Sequence, residues 1–217
     1  MEHEEWEVII LKPTPMFLSF LAAQCPDLKL PFLHLLQMDT TAYAIHKQAN
    51  EEAMLDEIER FFPKMFRYEI TRRFGAAVCD DIEASFLDFL CCFKFELHSQ
   101  IVLMEKSMTR GHQLLCIKPR SVLVKWVKSS IDEQEELTNI IERVNLAHMV
   151  ENATVVVKNF SQLSEVKPFI KQYYRPLFKA EMLRMCDKAD QWPTIDNAQK
   201  FSHYFAVEVH TQLIHLH

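Results

Sequence analysis

Apolar residues recur at steps of three and four over most of the chain, and only a few short stretches alternate. That pattern predicts a mainly helical protein with a small sheet. The longest stripe joins Phe86, Leu90, Phe93, Leu97, Ile101 and Met104, with Leu87, Cys91 and Phe95 as a second apolar edge beside it. Within it, Phe93, Phe95 and Leu97 also alternate with Lys94, Glu96 and His98, as a strand with one buried face would. No Gly, Pro or Asn interrupts Asp80 to Lys106, and Asp80 with Glu83 has the spacing of a capping box. Strands are usually about five or six residues long, so length favours one central helix over about 80–106.

The remaining elements follow from caps and breakers. WEVIIL at Trp6 to Leu11 reads as a strand, and Thr14 with Pro15 opens a helix through Ala23. TTAYAIHK, 40–47, is a second strand, and Asn50 caps a helix that runs to a break or kink at Pro63, resumes to Phe74 and stops at Gly75. LLCIKP fits a strand, and residues 120–128 fit either a strand or a helix. Ser130 with Glu133 opens a helix to about Val150. ATVVVKNF, 153–160, is the clearest strand, and Ser161 to about Ala189 is helical in pieces punctuated by Pro168 and Pro176. The stripe Phe201, Phe205, Val209, Leu213 and Leu216 makes the last segment a helix, although YFAVEVHTQL within 203–216 also suits a strand. No internal repeat or linker stands out. The expectation is therefore one α+β domain over 1–217, predominantly helical, with a small sheet and the long central helix.

Composition narrows the function. The net charge is -6 with a pI near 5.9, which argues against the basic surface of a non-specific nucleic-acid binder. No apolar run reaches the ~20 residues needed to cross a bilayer, and the amino end lacks the basic start of an export signal. Six cysteines without a CxxC pair suit a reducing, cytoplasmic setting, with Cys91 and Cys92 serving as small apolar residues of a packed helix. Gly75 and Gly111 are the only two glycines, where a typical chain of this length carries about 15. Phosphate cradles and nucleophile elbows need glycine, and no such motif can be written here.

Three constellations carry candidate chemistry. His203, His210 and His217 are spaced by seven, with His215 nearby, but on a helix consecutive members would stand ~10 Å apart, too far for one ion. No metal or cofactor is expected. Asp56 with Glu59, Asp80 and Asp81 with Glu83, and Cys186 with Asp187 sit where capping and solvation explain them, so no catalytic residue is assigned. The basic ladder Lys167, Lys171, Arg175 and Lys179, with Tyr173 and Tyr174 inside it, would make a positive stripe suited to an acidic partner helix or to phosphate groups. Its partner-binding residues are Lys167, Lys171, Tyr174, Arg175 and Lys179. Lys118, Arg120, Lys125 and Lys128 form a similar stretch before the acidic run at Asp132 to Glu136, which suits helix-end complementarity.

Ten methionines and sixteen phenylalanines beside almost no glycine suit adaptable recognition of protein partners. In this character, and in EWEVIILKPTPMFLSFLA and FLDFLCCFKFELHSQIVLM, the chain resembles the small acidic cytoplasmic adaptor subunits, of the LvgA type, of the bacterial type IVB (Dot/Icm) secretion coupling complex. The resemblance implies a non-enzymatic, chaperone-like subunit that joins other secretion adaptors on the coupling ATPase and helps recruit effectors. It transfers no binding residue by position. The alternative is a small-ligand or nucleotide-processing enzyme with a site built from helix side chains. An adaptor should expose a large apolar patch, and an enzyme a pocket of convergent polar groups.

Overall fold

The computed structural model describes residues 5–78, 82–104, 112–132, 146–186 and 188–216. They group into two compact units, one formed by 1–97 with 211–217 and the other by 98–210. In the first, β1 (Trp6–Pro13), α1 (Pro15–Gln24), α2 (Leu33–Met38), β2 (Thr41–His46), α3 (Glu51–Phe74), α4 (Phe86–Cys92) and β3 (Phe93–His98) follow in order. Strand β8 (Leu213–His215), from the far end of the chain, completes a sheet of order β3-β1-β2-β8. The second unit holds β4 (Ile101–Leu103), β5 (Gln113–Pro119), α5 (Ser121–Asp132), α6 (Leu146–Val150), β6 (Val155–Lys158), α7 (Val166–Met185), α8 (Ala198–Tyr204) and β7 (Phe205–His210). Its sheet order is β4-β6-β5-β7.

Two four-stranded sheets overturn the expectation of a predominantly helical fold with one small sheet. The long helix over 80–106 is also corrected: α4 stops at Cys92, β3 begins at Phe93, and β4 follows at Ile101. Helix α4 starts at Ser85, which accepts from the Asp88 N–H while Asp88 accepts in return from the Ser85 N–H. No local breaker ends it. Its terminal carbonyls are taken instead by Thr14, whose hydroxyl donates to Cys91 O at 2.7 Å and whose N–H donates to Cys92 O at 2.9 Å. A tertiary partner thus satisfies the groups that a C-cap would otherwise serve, and the period-two pattern at Phe93 to His98 takes over.

Other expectations are met or revised in detail. Strands β1, β2 and β6 and helices α1 and α3 fall where the pattern puts them, and Asn50 accepts from the Ala53 N–H at 2.9 Å. Pro63 and Pro176 interrupt neither α3 nor α7, each of which runs unbroken through its proline. Residues 121–132 are helix, and 205–210 and 213–215 are strand rather than a continued helix. Asp80 and Asp81, where a capping box and carboxylate cluster are expected, and the body of the helix expected after Ser130, lie outside the described residues.

The sequence shows no repeat to inspection, yet the two units are built alike. Ser85 and Asn197 cap α4 and α8, and they stand 112 positions apart, as do Phe89 and Phe201, Phe93 and Phe205, Glu96 and Glu208, and His98 and His210. Both β1 and β5 end in Lys-Pro, and Lys12 pairs with Glu96 at 2.9 Å as Lys118 pairs with Glu208. Arg120 donates its N–H to Tyr204 O at 2.7 Å, the counterpart of Thr14 on Cys92. Each long helix buries one glutamate: Glu69 accepts from Tyr43 Oη at 2.9 Å and pairs with Arg73 at 2.7 Å, while Glu181 accepts from the Thr154 N–H and pairs with Arg184 at 2.9 Å. A buried carboxylate is tolerated only when its oxygens are filled in this way.

The last strand of each half is exchanged. β4 follows β3 along the chain but pairs parallel with β6, and β8 follows β7 but pairs parallel with β2. The registers match, with Ile101 opposite Val155 and Leu213 opposite Ala42. The first core centres on Phe17, Phe66, Phe89 and Phe93, whose rings lie between 4.9 and 6.2 Å apart, and it includes Leu216 from the chain end. The second centres on Phe178, Phe201 and Phe205 against Leu115, Ile117 and Val156.

Candidate functional site

The second unit carries an open apolar groove of about 940 Å³. Strand β7 supplies its floor. Phe205, Val207 and Val209 alternate along the strand, so all three face the same side, and the two valines are only half-buried. One wall is the first half of α7, where Leu163 just before the helix, then Val166, Ile170 and Tyr174, recur at helical steps. The other wall is α8, which offers the small side chains Ala198 and Ser202. Leu163 is 58% exposed at the outer edge of the groove, whereas Ile170 and Phe205 at its base belong to the second core.

The rim is basic. Arg120, Lys167 and Lys171 line the groove, and no acidic side chain among the described residues does. Lys167 and Lys171 are one helical turn apart, about 6 Å along the axis, and both are exposed. Arg120 holds its place by donating Nε–H to Phe205 O at 3.2 Å. Tyr174 is fixed from outside: its hydroxyl donates to Asp196 O at 2.8 Å and accepts from Arg175 Nε at 3.0 Å. The Arg175 guanidinium sits 5.7 Å from the Tyr174 ring centroid.

Of the five residues that the ladder singles out, the unbroken α7 therefore brings Lys167, Lys171 and Tyr174 to the groove. Arg175 supports Tyr174, and Lys179 is exposed but not part of the lining. Sequence reasoning missed the floor and the second wall, Val207, Val209, Ala198 and Ser202. The signal that could have found them is the constant spacing between FLDFLCCFKFELHSQ and AQKFSHYFAVEVHTQ.

That spacing shows how the groove arises. The counterparts of Ala198, Ser202, Val207 and Val209 are Phe86, Leu90, Phe95 and Leu97, all of them larger. Tyr174 corresponds to Phe62, and in the first unit Phe86 packs on Phe62 with ring centroids 5.4 Å apart. Phe95 reaches Phe89 at 5.5 Å. The space that is open beside α8 is thus occupied in part beside α4 by larger, partly buried side chains, and a smaller hollow of about 250 Å³ lies against Phe62, Phe66 and Ile70.

The other candidates resolve into structural roles. Among the described residues no three His, Cys, Asp or Glu side chains converge to hold a metal. His203 is on α8, His210 on β7 and His215 on β8, so they share no helical face, and His217 lies outside the described residues. Cys116 Sγ lies 3.9 Å from His98 Nε2, but both side chains are wholly buried and His98 Nδ1 is engaged with Ala153 O at 2.9 Å. No substrate can reach that pair. Asp56 and Glu59 lie on the exposed side of α3, and Asp187 is outside the described residues. Cys91 is exposed rather than packed, whereas Cys92 is buried. Burial, with Asp88 and Cys91 beside it, pushes the Cys92 thiol up to about 12, the opposite of a reactive thiolate. Among the described residues no helix is long and apolar enough to cross a membrane.

No protein-family model matches the chain, and no curated protein or solved structure matches it either.

Proposed function

We propose that this chain is a non-enzymatic adaptor that binds protein partners through the groove of its second unit. The observation that carries the reading is the groove itself: an apolar floor and walls with a basic rim, and no acidic side chain among the described residues that line it. Enzyme pockets need convergent polar groups with separated pKa values, whereas apolar surfaces with polar rims are the anatomy of protein interfaces. The resemblance to LvgA-type subunits supplies the setting: a cytoplasmic type IV secretion coupling complex in which the chain joins other adaptors on the coupling ATPase and helps recruit effectors. Neither nucleic acid nor membrane is a partner in this reading, which agrees with the net charge of -6.

The test is purification of the native protein at physiological salt, beside a Val207→Asp variant that places a charge on the groove floor. The wild type should co-purify with defined protein subunits, and the variant should lose them while keeping its circular-dichroism spectrum and melting transition. An apolar interface survives screening that weakens purely electrostatic contacts beyond ~8 Å. A partner-free wild-type monomer that turns over a small molecule would overturn the proposal in favour of the enzyme alternative.

A further inference from the structure

Given a docking role for the groove, on which this step rests, we propose that its occupant is an amphipathic helix of a partner protein, with Phe or Leu on its buried face and Asp or Glu beside it. The first unit shows what the space accepts. There the equivalent positions carry Phe86, Leu90, Phe95 and Leu97, all partly buried, and Phe86, Phe95 and Leu97 pack against the first core, with Phe86 on the Phe62 ring. The second unit has the same frame with those side chains cut back to Ala198, Ser202, Val207 and Val209, so it lacks bulky apolar groups that a partner can supply.

Charge selects among apolar partners. Among the described residues the lining holds three basic side chains and no acidic one, in a chain whose net charge is -6, so an acidic partner is repelled by the molecule as a whole and attracted at this rim. Geometry favours a helix. From Leu163 to Tyr174 the lined wall covers about 16 Å, the length of about eleven helical residues. Carboxylates four apart on a facing helix repeat at the same ~6 Å rise as Lys167 and Lys171, so both pairs form together. The recognition mode is a helix laid in a groove and held by apolar anchors at i, i+3/i+4 and i+7.

The experiment titrates labelled synthetic peptides of about 15 residues against the full chain by fluorescence anisotropy. The reference peptide carries Leu and Phe at helical spacing flanked by Glu. Three controls replace its Glu by Lys, break the apolar stripe by scrambling, or place Pro at its centre. Two protein variants accompany the wild type. Ala198→Phe/Ser202→Leu restores to the second unit the side chains of Phe86 and Leu90, and Lys167→Glu/Lys171→Glu reverses two exposed rim charges that no described acidic side chain pairs with.

The reference peptide should bind the wild type about tenfold or more tighter than each control. The filled variant should lose that binding, and the charge-reversed variant should prefer the Lys peptide. Exposed surface charges make the second variant safe for the fold, so the test stands even if the filled variant misfolds. Equal binding of the Glu and Lys peptides overturns the acidic occupant, and undiminished binding of the Pro peptide overturns the helix in favour of an extended segment. If the native complex survives in the wild type and falls with Val207→Asp while no peptide binds, the occupant is wrong and the docking role stands. If neither the complex nor a peptide responds to the groove, both fall.

Discussion

Exchanged terminal strands make a prediction that sequence proximity would get backwards. Leu216 lies six residues beyond β7, yet it is 1% exposed in the core of the first unit and donates its N–H to Ala44 O at 3.0 Å. Truncating a buried leucine to alanine costs about 2–5 kcal/mol, and a site near a chain end can relax, so Leu216→Ala should cost about 2–3 kcal/mol. Native-state hydrogen exchange on the full chain reads this locally. Amides of β1 and β2 should exchange about 30- to 150-fold faster, since 1.4 kcal/mol is a factor of ten, while β5, β6 and β7 keep their protection. The reciprocal variant Val102→Ala acts on β4, which follows β3 in sequence but packs against the second core. It should loosen β5 and β6 by a smaller factor, because Val102 is half-buried, and spare β1 and β2. If Leu216→Ala weakened β5 and β7 and left β1 and β2 protected, the exchange of strands between the two sheets would be refuted.

Further outcomes follow from single groups. Glu69→Ala strands Arg73 and Tyr43 in the core and should cost about 3–5 kcal/mol in urea denaturation; a cost under about 1 kcal/mol would mean that the pair contributes little. Cys91 should react quickly with a neutral thiol reagent and Cys92 slowly, as followed by mass spectrometry; equal rates would contradict the burial of Cys92. Because the folded Cys92 thiol titrates at about 12 against an ordinary value of 9.0, the stability gained from keeping it protonated is complete below pH 9. That stability declines as pH rises towards 12, and Cys92→Ser should flatten the alkaline limb of the stability profile. Lys171→Glu/Arg175→Glu should slow partner association and change its salt dependence with the melting temperature unaltered, measured by stopped flow and calorimetry; a faster dissociation with unchanged association would place these residues within the apolar contact instead.

Local signals made much of the fold legible. Asn50, Gly75 and the alternation at 40–47 and 153–160 mark real boundaries, because caps, left-handed φ and pleat periodicity are properties of a few adjacent residues. Gly75, at φ 92, needs that freedom. What failed depended on distant partners. The end of α4 carries no breaker because Thr14, far away in sequence, holds its carbonyls. The tail's pattern predicts a helix because Phe201, Phe205, Val209 and Leu213 recur at steps of four, a spacing that also fits a helix turning into two strands. The groove was half legible: charges on a four-residue ladder are visible in one helix, whereas the valines that complete it lie on a strand that the same reading had made helical.

The likeness of the two units and their difference at the groove are best understood together. Filling the space beside α4 with Phe86, Leu90, Phe95 and Leu97 removes apolar surface from water at roughly 25 cal/mol per Å², and leaving the same space open beside α8 forgoes that gain. A unit with a forgone core contact is weaker by itself, and its sheet is completed by β4, the strand that the chain supplies on leaving β3. The filled unit depends in turn on β8, which the chain supplies on leaving β7. Each sheet is thus completed by a strand that follows the other half of the chain, and in the proposed reading the second unit keeps the open groove for docking. If a partner fills the groove as proposed, occupancy should raise the stability of the second unit, in proportion to the logarithm of ligand concentration over its dissociation constant. A candidate partner that does not bind the folded groove would produce no such rise.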